Sequence, residues 1–374
     1  MISAELLARV ACPVCLEEAG CAACARSGRG HAACASEYAA RARCACGGPD
    51  KPRLADEGDA LRCRCCGAGY AVRRDAGYLD LTPRESLGDT TQYAEHEFHE
   101  RLGVSDAPPL LSARVKADMM LRMLAPRPGA PLLDLGCGAG KLALHARRAG
   151  ARAFGLDVAP YFLPRAVAAL DLVLGDLRRL PFRKGSFPQA CSLDVLEHLD
   201  EPDLQAVLIE ARRAIGPAGR LFVYTHAMES SRLARFQRWV NCLARSLGER
   251  GLIDHAREAL RKSDHRNAIR SHEHFEALCA AAGLAVAERR YYNVVVKAVV
   301  EDLLLRLWER RRHGRGAAAG HAGEDTHAPT PARPGRATIA LGLLLSWLLK
   351  LDVVLLGHVR TGPFFGLLEP RPRP

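Results

Sequence analysis

The chain has 374 residues, 48% hydrophobic and 25% charged, with 53 Lys and Arg against 42 Asp and Glu, giving a formal net charge of +11. That length exceeds one average domain, and the composition is that of a globular protein, which excludes a fibrous or largely disordered chain. The positive balance permits an anionic partner, nucleic acid or a membrane surface, although an arginine-rich composition alone produces the same charge. The N-terminus MISAELLARVACPVC carries no continuous apolar run behind a basic segment, so the expectation is a cytoplasmic protein.

Ten of the 14 cysteines fall before residue 67. In a compartment that keeps thiols reduced, metal is the natural reason for them: two thiolates from one tight turn can take two corners of a zinc tetrahedron. The stretch from Cys44 to Pro83 reads as a small zinc ribbon, two knuckles around a polar hairpin and then a strand pattern through Tyr70, Val72 and Tyr78, with Cys44, Cys46, Cys63 and Cys66 as ligands. Its first pair is CxC rather than CxxC, which leaves open that Cys12 and Cys15 complete the ribbon, with residues 16–62 as an insertion. Otherwise Cys12 and Cys15 join two of Cys21, Cys24 and Cys34 in a second site, with His31 nearby. One or two structural zinc ions are expected, because a segment rich in Ala, Gly and Arg has too little apolar area to fold without a staple. Residues 1–85 therefore read as a Cys-rich zinc-binding module.

Residues 86–130 read as a helical linker or lid. Leu111, Val115, Met119 and Met123 recur every four positions and stop before Pro126, and Tyr93, His96, Phe98 and His99 lie upstream. Next, in LLDLGCGAG, an apolar run suited to a buried parallel strand ends in Asp134 and opens into Gly136, Gly138 and Gly140, with KLALHARRAG behind it as a helix. A dinucleotide loop needs a third glycine three positions after its second, where Lys141 stands, so this GxGxG fits a different nucleotide-type cofactor. A second strand ends at Asp157, where a carboxylate can accept hydrogen bonds from two ribose hydroxyls. LDLVLGDLRRLPF places Asp176 after a third strand, FPQACSLDVLEHL ends a fourth at Ser192 to Asp194 and starts a helix, and GPAGRLFVYTH supplies a fifth. SHEHFEALCAAAGLAVAERRYY adds a helix, Gly283 as its stop, and a sixth strand.

In this order DLGCGAG, GLD, GDLRRLPF, DVLEHL and GPAGRLF resemble the motifs of class I S-adenosylmethionine (SAM) methyltransferases, and the pattern is similar to the branch of ubiquinone, menaquinone and other small-molecule or lipid enzymes. The resemblance implies an α/β fold with a Rossmann-like seven-stranded core at 131–293 and SAM as cofactor. It implies a cofactor site of Asp134, Gly136, Cys137, Gly138, Gly140, Asp157, Asp176, Leu177 and Asp194. The glycine loop would carry the methionine end, Asp157 the ribose and Asp176 the adenine amino nitrogen. The ribbon resembles those fused to bacterial methyltransferases and the small activator of tRNA and protein methyltransferases. Glu197 and His198 with Asp194 resemble an ExxEH metal arrangement of some relatives, but Asp replaces the first Glu and DVLEHL is widespread without metal, so none is assigned there.

The seventh strand does not follow the sixth directly. Two apolar pieces and a polar, disorder-prone stretch at 315–336 intervene before GPFFGLLEPRP, so 294–360 read as an apolar helical insertion and 361–374 as the final strand and tail. Residues 338–357 are long enough to cross a bilayer, but Lys350 and Asp352 each cost about 2.5–3.5 kcal/mol near a helix centre. An interfacial helix pair, with Val296, Val299, Val300, Leu303, Leu304 and Leu307 on the apolar face of the first, is the expectation; helices capping the protein's own core or a dimer are the alternative. Methyl transfer is an in-line displacement needing mainly placement, and His226, just beyond the fifth strand, is the candidate base. The function expected is methylation of a small apolar or lipid-like acceptor by a cytoplasmic protein peripheral to the inner face of the membrane. The alternative is RNA or protein methylation, gripped by the zinc module and basic surface, with nucleic acid the weaker candidate because SLD lacks the N/D-P-P-Y signature of base-nitrogen modification.

Overall fold

The structure, a computed structural model, describes residues 2–13, 54–63, 67–73, 75–83, 108–228, 268–292, 295–300 and 335–371, with short pieces between 235 and 266. The chain begins with α1 (Ala4–Arg9), β1 (Leu54–Asp56), β2 (Ala60–Cys63), β3 (Gly69–Arg73), β4 (Tyr78–Asp80) and α2 (Ser112–Leu124). Alternating elements follow: β5 (Pro131–Leu135), α3 (Lys141–Arg148), β6 (Arg152–Asp157), α4 (Pro164–Ala169), β7 (Asp171–Leu174), β8 (Gln189–Leu193), α5 (Glu201–Ile215) and β9 (Arg220–His226). The last are α6 (His272–Ala281), β10 (Leu284–Tyr291), α7 (Val295–Val299), α8 (Arg336–Leu356) and β11 (Pro363–Pro370).

The sheet runs β1-β2-β3-β4-β7-β6-β5-β8-β9-β11-β10. From β7 to β9 all pairings are parallel. Helices cover both faces, so the strands must be apolar on both sides, and β7 is buried at every position. Strand order reverses between β5 and β8, which places a crevice at the carboxyl ends of those strands. The sequence segment expected to supply the late strand does so as β11, wedged antiparallel between β9 and β10.

The described part of residues 1–85 is continuous with the core rather than a module apart from it. Leu79 and Asp80 of β4 pair in parallel with Val173 and Leu174, carrying β1–β4 onto the edge of the main sheet. Ser3 Oγ caps α1 by accepting from Leu6 N at 3.0 Å, and donates to Asp171 at 2.8 Å. Leu6, Val10, Leu61 and Leu79 bury themselves in one cluster with Phe154 and Phe182. The cause is area: four strands of three to five residues and a six-residue helix bury too little to make a core alone.

Helix α5 shows the local rules at work. Asp200 caps it by accepting from Asp203 N at 2.9 Å, Pro202 and two acids occupy its first turn, and Arg212 and Arg213 lie in the last. Arg213 is 4% exposed and Glu210 1%. Both guanidinium edges are used: Nε and Nη2 donate to Glu210 at 3.0 Å, while Nη1 and Nη2 donate to the Phe182 and Leu180 carbonyls at 2.6 and 3.0 Å. The pair thereby fixes the loop whose Phe182 bridges to Val10.

Helix α8 is amphipathic in the reverse sense of a water-soluble helix. Its buried stripe contains Ser346, Leu349, Asp352 and Val353, whereas Leu344 is 59% exposed, Trp347 61% and Val354 66%. The polar groups on the inner stripe are satisfied by the protein. Asp352 accepts from Val296 N and Lys297 N at 3.0 and 3.1 Å, Ser346 Oγ accepts from Leu111 N at 2.7 Å, and Lys350 Nζ lies 2.6 Å from Asp118. The charges that count against membrane contact in the sequence thus face inward. The 315–336 linker lies outside the described residues except for Gly335 and Arg336, which cap and begin α8, as do Leu303, Leu304 and Leu307.

Arg213→Ala removes the cationic partner of the buried Glu210 carboxylate, and removing one partner of a buried pair costs about 3–5 kcal/mol. Urea unfolding should show a lower midpoint at unchanged slope; an unchanged midpoint would mean the pair contributes nothing net.

Candidate active site

The carboxyl ends of β5, β6, β8 and β9 converge on one crevice. The chain leaves β5 through Gly136, Gly138 and Gly140, all at positive φ. Gly136 has a second reason to be glycine: a Cβ there would meet Val195 Cγ2 at 2.5 Å. At Gly138 (φ +51) nothing lies within 4 Å of where a Cβ would be, so the backbone faces open space. Gly138 N donates to Asp157 Oδ2 at 2.7 Å, tying the loop to the end of β6, and Ala159 N donates to Oδ1 at 3.1 Å.

Asp134 lies beneath this loop, 2% exposed. Its Oδ1 accepts from Cys191 Sγ at 3.6 Å, and Oδ2 has no hydrogen-bond partner among the described residues. Burial pushes the carboxyl up to about 7, with the Asp157 charge adding to the rise against the Cys191 hydrogen bond. Burial likewise raises the Cys137 thiol, whose side chain packs behind the loop against Gly155. A buried acid with an orphaned oxygen under an open glycine loop fits the ammonium of an amino-acid ligand. Together with the Asp157 position, these residues fit SAM.

Two of the expected cofactor residues have other partners. Asp176 accepts from Arg178 N at 2.7 Å and from its Nη2 at 2.9 Å, and Arg178 also reaches Asp203 at 2.9 Å. The carboxylate thus caps the turn Leu177–Arg179 that follows β7, with Leu177 packed against the core, and an adenine amino group would compete there with a guanidinium. Asp194 (φ 55) receives Lys116 Nζ of α2, 2.8 Å from Oδ1. The same ammonium lies 4.5 Å from the Tyr224 ring centroid, a cation–π contact. Tyr224, Tyr292 and Phe365 form an aromatic wall beside it, Tyr292 and Phe365 stacked at 5.6 Å. Neither Lys116 nor the wall was part of the sequence expectation, since no local spacing brings α2, β9 and β11 together.

His226 ends β9 at the crevice. Its Nδ1 is 3.6 Å from Oε1 of Glu197, which is buried and accepts from Thr225 Oγ1 at 3.1 Å through Oε2. Burial alone would raise the Glu197 carboxyl, but His226 holds it below the usual range. The result is a histidine facing a buried carboxylate, the arrangement that orients a general base.

Of the expected zinc ligands, Cys12 and Cys63 are described, both buried in the cluster that holds Tyr70, whose hydroxyl is 3.5 Å from Cys12 Sγ. Cys15, Cys21, Cys24, Cys44, Cys46 and Cys66 lie outside the described residues, as do Cys34, His31 and the segment from Tyr93 to His99.

Residues 133–223 match the family described as methyltransferase domain. The chain is 36% identical over 121 residues to the ubiquinone/menaquinone biosynthesis C-methyltransferase UbiE of Cereibacter sphaeroides, covering 29% of this chain and 48% of that one. It is 33% identical over 150 residues to the malonyl-[acyl-carrier protein] O-methyltransferase of Serratia marcescens, covering 39% and 58%. The chain spans about half the length of the curated relatives it matches. Among solved structures, Haemonchus contortus phosphoethanolamine N-methyltransferase 2 in complex with SAM aligns with a TM-score of 0.44 at 18% identity, covering 76% of this chain and 59% of that one. The chain carries a methyltransferase domain on a Rossmann-like α/β sheet.

The Asp134 carboxyl keeps its proton in the folded protein up to about pH 7, whereas an unfolded chain loses it near pH 4. The ligand-free protein therefore loses stability as pH rises from about 4 to 7, and an ammonium bound against Asp134 favours the ionised form. SAM affinity should tighten as pH rises through that range, with proton release visible as a buffer-dependent calorimetric enthalpy. Asp134→Asn should remove the proton release and weaken SAM binding about tenfold or more; an unaltered titration would remove Asp134 from the cofactor site.

Proposed function

We propose that the chain is a SAM-dependent methyltransferase acting on a small apolar or lipid-like acceptor at a membrane surface, reached peripherally from the cytoplasm. The observation that carries the reading is the cradle between β5 and β6, where an open Gly138 is bonded to Asp157 over the buried Asp134. When bound, SAM supplies an electrophilic methyl carbon on a sulfonium. The chain's own part is mainly placement. The loop and Asp134 hold the amino-acid end and Asp157 the ribose, while Lys116 and the aromatic wall border the acceptor side. His226 takes a proton from the acceptor through Nε2, its other nitrogen facing Glu197.

The acceptor class draws on α8. A helix with Leu341, Leu344, Trp347, Val354 and Leu355 outward and its charges inward suits an apolar surface better than water. Its length and hydropathy would also suit a span, but the Lys350 and Asp352 contacts to α2 and α7 keep one side on the protein. The relative named for ubiquinone/menaquinone biosynthesis agrees with an apolar acceptor. Structural zinc belongs to the same reading. The shared burial of Cys12 and Cys63 favours Cys12 and Cys15, rather than Cys44 and Cys46, as the pair that completes the ribbon with Cys63 and Cys66.

With labelled SAM and purified protein, label should enter the organic phase of membrane extract; label in RNA instead would overturn the acceptor class. Leu344→Glu with Trp347→Glu should abolish flotation with anionic vesicles while leaving the melting temperature unchanged, and wild-type protein that ignores such vesicles would end the membrane part. His226→Ala should lower kcat by roughly 100-fold or more with little change in SAM affinity; unchanged turnover would exclude it as base.

A further inference from the structure

Beyond the cofactor cradle, side chains from two distant stretches meet at the acceptor end of the crevice. Glu197 and His198 belong to the turn Leu196–His198 after β8, and His265 arrives from the segment before α6. One ligand-capable atom of each lies within 4.8 Å of those of the other two, the carboxylate buried and both imidazoles half-buried. The two rings meet edge to face with centroids 4.8 Å apart.

Backbone contacts hold this meeting in place. Arg266 N donates to the Glu197 carbonyl at 2.9 Å, and Met228 N donates to the Ile269 carbonyl at 3.0 Å, with Ile269 buried. The Arg266 guanidinium lies 3.7 Å from Asp200. His265 is therefore pinned to the turn that carries the other two residues.

We propose that Glu197, His198 and His265 form a site for a divalent transition-metal ion, with His226 bordering it. Two imidazoles and one carboxylate suit zinc-like ions and manganese and leave coordination positions open. Bond lengths of about 2.0–2.1 Å put neighbouring ligand atoms of a tetrahedral ion about 3.4 Å apart, so the set closes on an ion by small side-chain rotations. Thr225, donating to Glu197 Oε2, supplies the outer partner that orients a ligating carboxylate. Asp194 is not a member, because its carboxylate is taken by Lys116.

The site's place gives it a use. Val195 packs against Gly136 of the cofactor loop, two residues from Glu197, so the site lies beside that loop. An ion there would bind an acceptor through an anionic oxygen, a phenolate, enolate or carboxylate. That acceptor class rests on the methyltransferase reading; the binding of the ion does not.

Manganese is the probe, because it prefers imidazole and carboxylate to thiolate and so avoids the N-terminal cysteines. Titration of the full chain, followed by the paramagnetic signal of free Mn2+, should show a single bound ion without SAM or acceptor present. His265→Ala and His198→Ala should each weaken binding at least about tenfold, and His265→Asp, which restores a ligand, should recover part of it. Circular dichroism checks that each variant is folded, and if His265→Ala is not, His265→Gln carries the comparison. Absence of binding at millimolar Mn2+, or equal affinity in wild type and the folded His265 variant, would overturn the site. SAM calorimetry on the same samples reports separately on the cofactor cradle, so failure of one reading leaves the other measurable.

Discussion

A carboxylate that the protein buries without a cation is the constraint around which the site is arranged. Asp134 ends an apolar strand, 2% exposed, and forms no ion pair among the described residues. Charge in such a place is costly unless something neutralises it, and the protein does so with a proton, as the rise of its carboxyl to about 7 records. The surrounding features leave that place open above the acid. Gly136 allows the chain to turn over the acid while Val195 packs close, and Gly138 leaves the space above it open. Asp157 then anchors the turn through the Gly138 amide. In an enzyme of this kind preorganisation resides in backbone geometry, which explains why so few side chains are needed.

The cradle was legible in the sequence because each of its parts is a local demand on residue type. A left-handed loop demands glycine, strand ends in a doubly covered sheet place acids at predictable intervals, and β5 to β9 are apolar runs with few alternatives. Asp176 and Asp194 were legible as acids at strand ends but not in their partners. Arg178 is two residues from Asp176 and could have been suspected; Lys116 reaches Asp194 from across the fold. His265 is a third such case, since the Arg266 to Glu197 backbone bond and the ring contact with His198, not any local spacing, tell where it goes. The docking of α1 and β1–β4 escaped the sequence for another reason. Edge pairing such as β4 on β7 is made by backbone, and backbone carries no residue code.

Helix α8 shows how a pattern read correctly for hydrophobicity can point the wrong way for burial. Counting apolar residues makes Lys350 and Asp352 liabilities; in the folded chain they are the inward anchors, and the leucines face out. The distinction is tertiary, because a hydrophobic stripe acquires a direction only once its polar exceptions find partners. Asp118 supplies one, receiving Lys350, Arg114 and His145 together. Its own burial works against ionisation, but those three donors outweigh it and hold the carboxyl well below its ordinary range.

The same contacts make α2 the structural link between the outward helix and the crevice. At the start of this short helix Leu111 N donates to Ser346 Oγ, within it Asp118 accepts from Lys350, and Lys116 extends the other way to Asp194 and Tyr224. Residues two apart on a helix point about 200° away from each other, so Lys116 and Asp118 necessarily address opposite neighbours. An insertion between β10 and β11 could have been placed anywhere a loop reaches. This one sets its inner stripe, with Ser346 and Lys350, against the helix that carries Lys116, so a rigid element and two charged pairs join α8 to the crevice.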